Sequence, residues 1–180
     1  MKNQQQLNNY FGSEWKSNVP DFKLSGPALI DKVLPGERVI DIGCGDNYFR
    51  GKIKNFIGID PANDAADLKV SIEDFHTDEK FDVAFCLGSI NFGDYENIKQ
   101  QILLLDKLMK PTSRIYWRMN PGRQDHNTEG CKEITFFPWD EKYTREFAAM
   151  IGFTVKEFGW DENLKNKDPN NRLYTEWVRG

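Results

Sequence analysis

The sequence predicts an α/β fold, in which a mostly parallel β-sheet carries helices on both faces. The first observation behind this prediction is that short apolar segments, typical of buried strands, alternate with segments of helical spacing. The second is that two of the apolar segments, 39–41 and 55–60, end in an acidic residue, a pattern that two parallel strands would share. Since parallel neighbours need a crossover that is usually a helix, the alternation favours a parallel sheet.

Size and composition favour a single domain. A chain of 180 residues is long enough to bury one hydrophobic core. Within it we expect an N-terminal helical segment, residues 1–34, packed on a core domain of residues 35–180. No segment approaches the roughly 20 apolar residues of a membrane helix, and the polar N-terminus lacks the apolar stretch of a secretory signal. We therefore expect a cytoplasmic protein that does not associate with membranes.

The first half of the chain carries most of the predicted strands. Apolar residues between Tyr10 and Leu34 predict two short helices, the second entered through Ser25-Gly26-Pro27. The polar residues before them are expected to be frayed or helical at the surface. Four strands then follow, at 38–42, 55–60, 68–72 and 81–87, with a short helix over about 46–54. The third of these strands has the weakest pattern.

The second half continues the alternation. A helix is predicted over 95–109, where apolar residues recur on one side. The segment 110–113 reads as a turn leading into a strand at 114–119. A further helix over about 140–151 ends at Gly152, a typical helix stop. Two closing strands are predicted at 153–158 and 173–178.

Several polar residues follow predicted strands directly. Asp41, Asp60 and the segments 71–74 and 87–91 all fall at strand ends. Because ligands of open α/β sheets bind at the carboxyl ends of the strands, we expect these residues to meet in one crevice. The loop Gly43-Cys44-Gly45 supports a ligand there, since glycine lets the backbone approach closely. The helix expected after it would present free N–H groups to an anionic group.

Asp60 narrows the class of ligand. It lies 15 positions beyond Gly45, where its oxygens could accept hydrogen bonds from both hydroxyls of a ribose. An adenosine-type ligand fits this pair, although an aspartate before Pro61 is equally typical of a turn. A dinucleotide fingerprint requires glycine at the position of Tyr48, so a nicotinamide-dependent oxidoreductase is disfavoured. A Walker-type phosphate loop is absent from the sequence.

Four motifs in order resemble one enzyme family. They are Val-Ile-Asp-Ile-Gly-Cys-Gly-Asp-Asn (39–47), Phe-Ile-Gly-Ile-Asp-Pro (56–61), Phe-Asp-Val-Ala-Phe-Cys-Leu-Gly-Ser-Ile (81–90) and Leu-Met-Lys-Pro-Thr-Ser-Arg-Ile-Tyr-Trp (108–117). From about residue 38 onwards the sequence is similar to the class I S-adenosylmethionine-dependent methyltransferases. The resemblance implies a three-layer sandwich with a seven-stranded, mostly parallel sheet whose last strand is antiparallel. It also implies S-adenosylmethionine as the cofactor.

The resemblance assigns the cofactor contacts residue by residue. The first motif would contact the methionine portion, and the acid that ends the second strand would hold the ribose. The residues expected to bind the cofactor are therefore Asp41, Gly43, Cys44, Gly45, Asp60, Pro61, Ser71, Ile72, Leu87 and Ser89.

Two positions depart from the family's pattern. The family usually has an acid for the adenine amino group at the position of Ser71, whose hydroxyl can still accept a hydrogen bond. Glu73 or Asp74 could take this role with a register shift, and Phe75 could either flank the adenine or lie in the core. Asn47 replaces the family's third glycine, and asparagine tolerates the left-handed conformation better than most residues.

Methyl transfer is a displacement at a sulfonium carbon, so the protein mainly holds nucleophile and methyl group in line. A base is needed only if the nucleophile must lose a proton. We expect Ser89, Asn91 and Phe92 to border the methyl group, and Trp117, Arg118, Asn120 and His126 to line the acceptor side. Ser89, Asn91 and His126 are the candidate catalytic residues. No metal site is expected, because the cysteines and histidines lack metal-ligand spacing.

The expected function is methyl transfer from S-adenosylmethionine to a small-molecule acceptor. The alternative is a non-catalytic protein of the same fold, which binds the cofactor or acts through protein contacts. Ser71 and Asn47 motivate this alternative. The net charge of −4 disfavours duplex nucleic acid as a partner. The neighbouring Arg114, Arg118 and Arg123 would form a local basic patch, which leaves nucleic acid open.

Overall fold

A six-stranded mixed β-sheet organises the chain in our computed structural model, which describes residues 4–13, 18–122, 134–166 and 171–180. The strands are β1 (Arg38–Ile42), β2 (Asn55–Ile59), β3 (Phe81–Leu87), β4 (Met109–Met119), β5 (Thr154–Asp161) and β6 (Arg172–Arg179). The α-helices are α1 (Gln4–Ser13), α2 (Tyr95–Leu108) and α3 (Glu141–Met150). None of these helices is long and apolar enough to span a membrane.

The sheet is parallel except for its last strand. The strand order is β2-β1-β3-β4-β6-β5. β2, β1, β3 and β4 pair in parallel, whereas β6 runs antiparallel to both of its neighbours. The predicted mostly parallel sheet with an antiparallel last strand is therefore confirmed. The chain leaves β1 toward one side of the sheet and reaches β3 on the other, so the strand order reverses at β1.

The prediction of seven strands is wrong for the described residues. The segment 68–72 forms only an isolated parallel bridge, in which Leu68 pairs with Ile59 of β2. Beyond this bridge, the backbone groups at the free edge of β2 do not pair with another strand of the described structure. The Gly58 amide instead donates to the Asp67 carboxylate at 2.8 Å. Both Asp67 and Leu68 then donate their amides to the Gly58 carbonyl. A turn and a carboxylate thus cap the ladder where a seventh strand would continue it.

The two faces of the sheet are covered by different kinds of structure. On one face α2 and α3 bury Ile98, Ile102 and Phe147 against the strands. On the other face the cover consists of two 3₁₀ segments, Val19–Asp21 and Pro27–Lys32, and of turns that bury Phe49. The layers follow the three-layer prediction, but one of them contains no α-helix in its described part.

The predicted helix over 46–54 is wrong, and its place is taken by turns. Asn47 has φ = 58° and Gly51 has φ = 77°. Two residues in the left-handed region within five positions interrupt a right-handed helix, so the segment cannot continue as one. The helix predicted after Ser25-Gly26-Pro27 also differs, because it is a 3₁₀ segment, Pro27–Lys32.

The bounds of β4 and α1 also differ from the sequence prediction, but by less. The turn predicted at 110–113 belongs to β4, which begins at Met109 and has a register shift against β3 in this part. Helix α1 lies earlier than the predicted first helix. It buries Leu7 and Tyr10, and it packs with Phe92 and Phe136 above the carboxyl ends of the parallel strands.

Candidate active site

A cleft lies at the carboxyl ends of β1, β2 and β3. Eight of the ten residues expected to bind the cofactor line it, namely Gly43, Gly45, Asp60, Pro61, Ser71, Ile72, Leu87 and Ser89. The side chains of Gln4, Leu7, Asn8 and Phe11 in α1 line its opposite wall. Three strand ends, the segment 70–73 and one helix therefore enclose a single site, as the topology predicted for the strand ends.

The glycine loop is shaped by its contact with β3. Gly43 has φ = 70°, and a Cβ atom added to it would lie 2.3 Å from the Ser89 Cβ. Glycine is required here both by its conformation and by the close approach of the loop after β3. The amides of Gly43 and Cys44 donate to the Ile59 carbonyl at 2.8 and 3.0 Å, which fixes the loop to β2.

Two expected cofactor residues, Asp41 and Cys44, do not line the cleft. The Cys44 thiol points under the loop, because its Sγ lies 2.9 Å from the position that a Cβ of Gly58 would take. Burial raises the pKa of this thiol well above its usual range, so it remains protonated. Cys44 therefore packs the loop against β2.

Asn47 adopts the left-handed conformation at φ = 58°, as its replacement of a glycine predicted. Its side-chain amide donates to the Ala65 carbonyl and to the Asp67 carboxylate at 3.0 and 3.2 Å. The residue thus preserves the turn after the glycine loop and also ties that turn to the segment following β2.

Asp60 is fixed by backbone groups on three sides. Its Oδ2 accepts from the Gly45 amide at 2.9 Å, and its Oδ1 accepts from Ala62 and Asn63 at 2.8 and 3.1 Å. A carboxylate offers about four acceptor positions, so one remains on Oδ2. The side chain lines the cleft in one set orientation. A single ribose hydroxyl can be accepted there without displacing a backbone group.

The candidates for adenine recognition separate in the structure. Ser71, Ile72 and Glu73 line the cleft, whereas Asp74 does not. The Asp74 carboxylate instead accepts from the Ser71 hydroxyl at 3.2 Å, and the Glu73 carboxylate accepts from Gln101 at 3.1 Å. Phe75 is packed against the core. Of the polar candidates, Ser71 and Glu73 are therefore the two that lie in the cleft.

Asp41 is 3% exposed and lies behind the cleft. Burial raises the pKa of this carboxyl to about 7, and the nearby Asp60 acts in the same direction. The positive charge of Arg118 opposes this shift. Asp41 therefore retains its proton to a much higher pH than an exposed carboxyl does.

A second pocket adjoins the cleft, and we call it the side pocket. It shares Phe11, Leu87, Gly88 and Phe92 with the cleft, and its other walls include Phe22, Asn91, Arg118, Asn120, Phe136 and Arg172. Asn91, Phe92, Arg118 and Asn120 were expected at the acceptor side or near the methyl group, and the structure brings them together. The side pocket meets the cleft at Leu87 and Gly88, the carboxyl end of β3.

Three other residues expected near the methyl group or the acceptor, Trp117, His126 and Ser89, are not among the described residues that line the side pocket. Trp117 is fully buried between Trp139 and Trp177, because alternation along β4 directs it away from the face that carries Arg118. His126 lies outside the described residues. Ser89 lines the cleft, and its hydroxyl oxygen is buried with no hydrogen-bond partner among the described residues.

The expected basic patch does not form from Arg114 and Arg118, and Arg123 lies outside the described residues. The Arg114 guanidinium binds the Glu37 carboxylate through two hydrogen bonds of 2.8 Å, at the opposite end of β4. Arg118 is buried in the side pocket. The two arginines therefore act in different places.

The sequence interpretation missed the contribution of α1, of Phe22 and of Arg172. A signal for α1 existed, because Leu7, Tyr10 and Phe11 recur at helical spacing in a polar segment. Phe22 reaches the side pocket through an isolated bridge to Asn163, a contact between distant parts of the chain. No local pattern encodes that contact.

Comparisons with known proteins agree with this architecture. Magnesium protoporphyrin IX methyltransferase from Synechocystis PCC 6803, solved with bound SAM, is 15% identical with a TM-score of 0.71, and the match covers 100% of this chain and 98% of that one. The N-methyltransferase NodS from Bradyrhizobium japonicum WM9 is 13% identical with a TM-score of 0.65, and the match covers 97% of each chain. The chain has the class I methyltransferase fold. The resemblance read from the four motifs is thus confirmed for this fold.

A third structure of this fold is 1,6-didemethyltoxoflavin-N1-methyltransferase from Burkholderia thailandensis, with 14% identity, a TM-score of 0.63, and coverage of 79% of this chain and 71% of that one. Among curated proteins, a tRNA U34 carboxymethyltransferase from Methylococcus capsulatus is 32% identical over 101 residues, covering 44% of this chain. The match spans only 30% of that relative's length. No protein-family model matches the chain.

Proposed function

We propose that the protein is an S-adenosylmethionine-dependent methyltransferase that acts on a small-molecule acceptor. The observation that carries this proposal is the convergence of Gly43, Gly45, Asp60 and Ser71 on one cleft at the strand ends. A fold alone hosts many functions. Here the fold is accompanied by a glycine loop, a fixed carboxylate and an adjoining second pocket, which together suit a cofactor and an acceptor.

The residues present fit the cofactor's chemistry. Glycine at position 43 lets the glycine loop and Ser89 approach closely at the wall of the cleft, and the free position on the Asp60 carboxylate suits a ribose hydroxyl. Ser71 and Glu73 would meet the adenine edge, and the buried Ser89 hydroxyl offers an unused donor and acceptor. When bound, S-adenosylmethionine supplies an electrophilic methyl group on a sulfonium.

The protein's own contribution is to orient the reactants and exclude water. Helix α1 covers the cleft through Leu7 and Phe11, so bulk water is kept from the strand ends. The loop at Leu87 and Gly88 joins cleft and side pocket, which aligns a nucleophile in the side pocket with the cleft. Ser89 and Asn91 are the residues that flank this junction.

A small acceptor is supported by the side pocket, whose walls combine phenylalanine rings with asparagine and arginine side chains. Phe11, Phe22, Phe92 and Phe136 contribute its apolar surface, which suits a compact molecule with an apolar body rather than a phosphate backbone. The curated relative's name specifies tRNA, but the match spans under a third of that protein. The non-catalytic alternative is not favoured, because cleft and side pocket are both formed and joined.

Calorimetric titration with S-adenosylhomocysteine tests the proposal. The wild-type chain should bind it saturably, and Asp60→Ala should weaken binding by roughly 10- to 150-fold, the equivalent of one hydrogen bond to a charged group. Asp64→Ala is the matched control, because Asp64 lies in the same loop with a side chain 91% exposed to solvent. Its substitution should leave the affinity unchanged. Absence of binding by the wild-type chain would refute the proposal.

A product assay tests turnover separately. Release of S-adenosylhomocysteine is measured with small aromatic acceptors in one panel and with tRNA in another. Turnover confined to the tRNA panel would contradict the small-molecule part of the proposal. Saturable cofactor binding without turnover in any panel would instead favour the non-catalytic alternative.

A further inference from the structure

Arg118 is a buried cation without a direct counter-ion in the described part of the chain. It is 5% exposed and lines the side pocket. Its Nη1 donates to the Ser25 hydroxyl and carbonyl at 3.2 and 3.4 Å, and its Nη2 donates to the Leu87 carbonyl at 3.3 Å. The guanidinium also lies 4.1 Å from the centre of the Phe22 ring.

These contacts are weak for a buried arginine. All three hydrogen bonds are longer than usual for a guanidinium, and all go to neutral oxygens. A guanidinium has five N–H donors. The Nε–H of Arg118 has no acceptor among the described residues, and Nη2 uses one of its two N–H groups for the Leu87 carbonyl. Nε and Nη2 lie on the same edge of the guanidinium.

The nearby carboxylates stabilise this charge without contacting the guanidinium. Asp161 accepts from the Leu24 amide at 2.8 Å and from both the amide and the hydroxyl of Ser25. It therefore makes no direct hydrogen bond to Arg118 in the described structure, but its charge is the strongest of those that favour the charged guanidinium. Asp41 and Asp21 stabilise the charged form from a distance, whereas Arg172 opposes it. Burial lowers the pKa of Arg118 to about 10, so the group is charged at neutral pH.

Asn91 supplies a second unused donor in the same pocket. The residue is 5% exposed, and its Oδ1 accepts from the Asn120 amide at 3.1 Å. This bond directs Nδ2 toward Gly88, where it lies 3.8 Å from the position that a Cβ would take. Within the described residues no acceptor meets this Nδ2. This Nδ2 is not one of the fully buried side-chain atoms that lack a partner, so it is accessible from the side pocket, where a ligand can accept a hydrogen bond from it.

We propose that the side pocket binds an acceptor that has a carboxylate on a planar apolar body. The carboxylate accepts from Nε and Nη2 of Arg118, with Asn91 Nδ2 as a further donor. Paired N–H groups on one side of a guanidinium match the two oxygens of a carboxylate. The aromatic rings of Phe22, Phe92 and Phe136 contact the apolar body. The inference rests on the proposed function, since it makes this molecule the methyl acceptor.

Ligand pairs that differ only in charge test the inference. Benzoate is compared with benzamide, and 2-naphthoate with 2-naphthamide, by calorimetry on the full chain with and without S-adenosylhomocysteine. Each carboxylate should bind at least fivefold more tightly than its amide. A ratio below fivefold in both pairs would overturn the inference, and this result does not depend on whether the cofactor binds.

Two variants locate the effect. Asn91→Asp keeps an acceptor for the Asn120 amide but places a negative charge in the pocket that Arg118 lines, so the carboxylate preference should disappear. Arg118→Lys keeps the charge and loses the paired donors, so the preference should fall at least threefold. Arg114→Gln is the matched control, because Arg114 is on the same strand but pairs with Glu37 at its far end. It should retain the wild-type ratio. A wild-type ratio in Asn91→Asp and Arg118→Lys would also overturn the inference.

The outcomes for the two proposals are separable. A carboxylate preference without S-adenosylhomocysteine binding would leave the side pocket as described and refute the methyltransferase. S-adenosylhomocysteine binding with equal affinities for carboxylate and amide would do the reverse. Circular dichroism melts of each variant confirm that a lost preference does not arise from unfolding.

Discussion

Gly58 offers a direct test of how the glycine loop is held. It lies inside β2, outside the left-handed region, so alanine fits its backbone. A Cβ at this position would lie 2.2 Å from the Asn47 Oδ1 and 2.9 Å from both Cβ and Sγ of Cys44. Both neighbours are buried in the turn that carries the glycine loop. Gly58→Ala should therefore displace that turn away from β2.

The expected cost is that of one methyl group in a filled space, about 1–3 kcal/mol. For a chain of this size it corresponds to a decrease of Tm by roughly 2–12 °C. Replacing glycine with alanine also restricts the unfolded chain, which stabilises the protein by about 0.4–1 kcal/mol. Gly159→Ala reports this second effect alone, because Gly159 is also within a strand and no atom lies within 4 Å of its added Cβ.

Thermal melts and urea titrations of the two variants give the difference. Gly58→Ala should be the less stable by about 1–3 kcal/mol, and it should also bind S-adenosylhomocysteine more weakly. Adding Asn47→Gly removes the nearest contact and suits φ = 58°, so the double variant should recover at least about 0.5 kcal/mol of coupling. Equal stability of Gly58→Ala and Gly159→Ala would refute the reasoning.

Two further predictions concern buried polar groups. The pKa of Asp41 is about 7 in the folded protein, against an ordinary value of 3.8. The folded state therefore holds the proton more tightly, and stability is lost as pH rises from about 4 through 7, by on the order of 4 kcal/mol. Asp41→Asn should lack this loss, and parallel urea-unfolding profiles for variant and wild type between pH 4 and 8 would contradict the prediction. Trp139→Phe removes the donor to the Ile90 carbonyl at 2.9 Å and should cost about 1–3 kcal/mol more than its area loss. Trp177→Phe is the control, because the Trp177 indole N–H is buried with no partner in the described structure; equal melting shifts would count against the hydrogen bond.

Patterns that belong to a single element were predicted well. The bounds of β1 and β3 agree with the sequence prediction, because each is a short apolar segment buried on both faces. Helix α2 was found from its apolar spacing, and its start is fixed locally by reciprocal hydrogen bonds between Asp94 and Asn97. Such signals depend only on neighbouring residues, so they can be read without knowing the fold.

Predictions that depended on competing local geometry were less successful. Residues 46–54 contain apolar positions compatible with a helix, but Asn47 and Gly51 take left-handed conformations that end it. The strand predicted at 68–72 fails because the Asp67 carboxylate takes the Gly58 amide that a neighbouring strand would need. In both segments the apolar pattern is compatible with a regular element and with turns. Individual residues, Asn47 and Gly51 in the first segment and Asp67 just before the second, favour the turns.

The same distinction divides the candidate site into two halves. The cleft is assembled from loops that each follow their own strand, so motifs alone located Gly43, Asp60 and Ser89. The side pocket depends on the segment before β1, which Asp161 holds through the Leu24 and Ser25 amides across 137 and 136 positions of sequence. These bonds place Phe22 beneath Arg118. The cleft, where we propose that the cofactor binds, is built from local contacts, whereas the side pocket, proposed for the acceptor, is built from long-range ones. We therefore expect changes near Asp161 to alter the side pocket while the glycine loop stays intact, and sequence motifs to predict the cleft better than the side pocket.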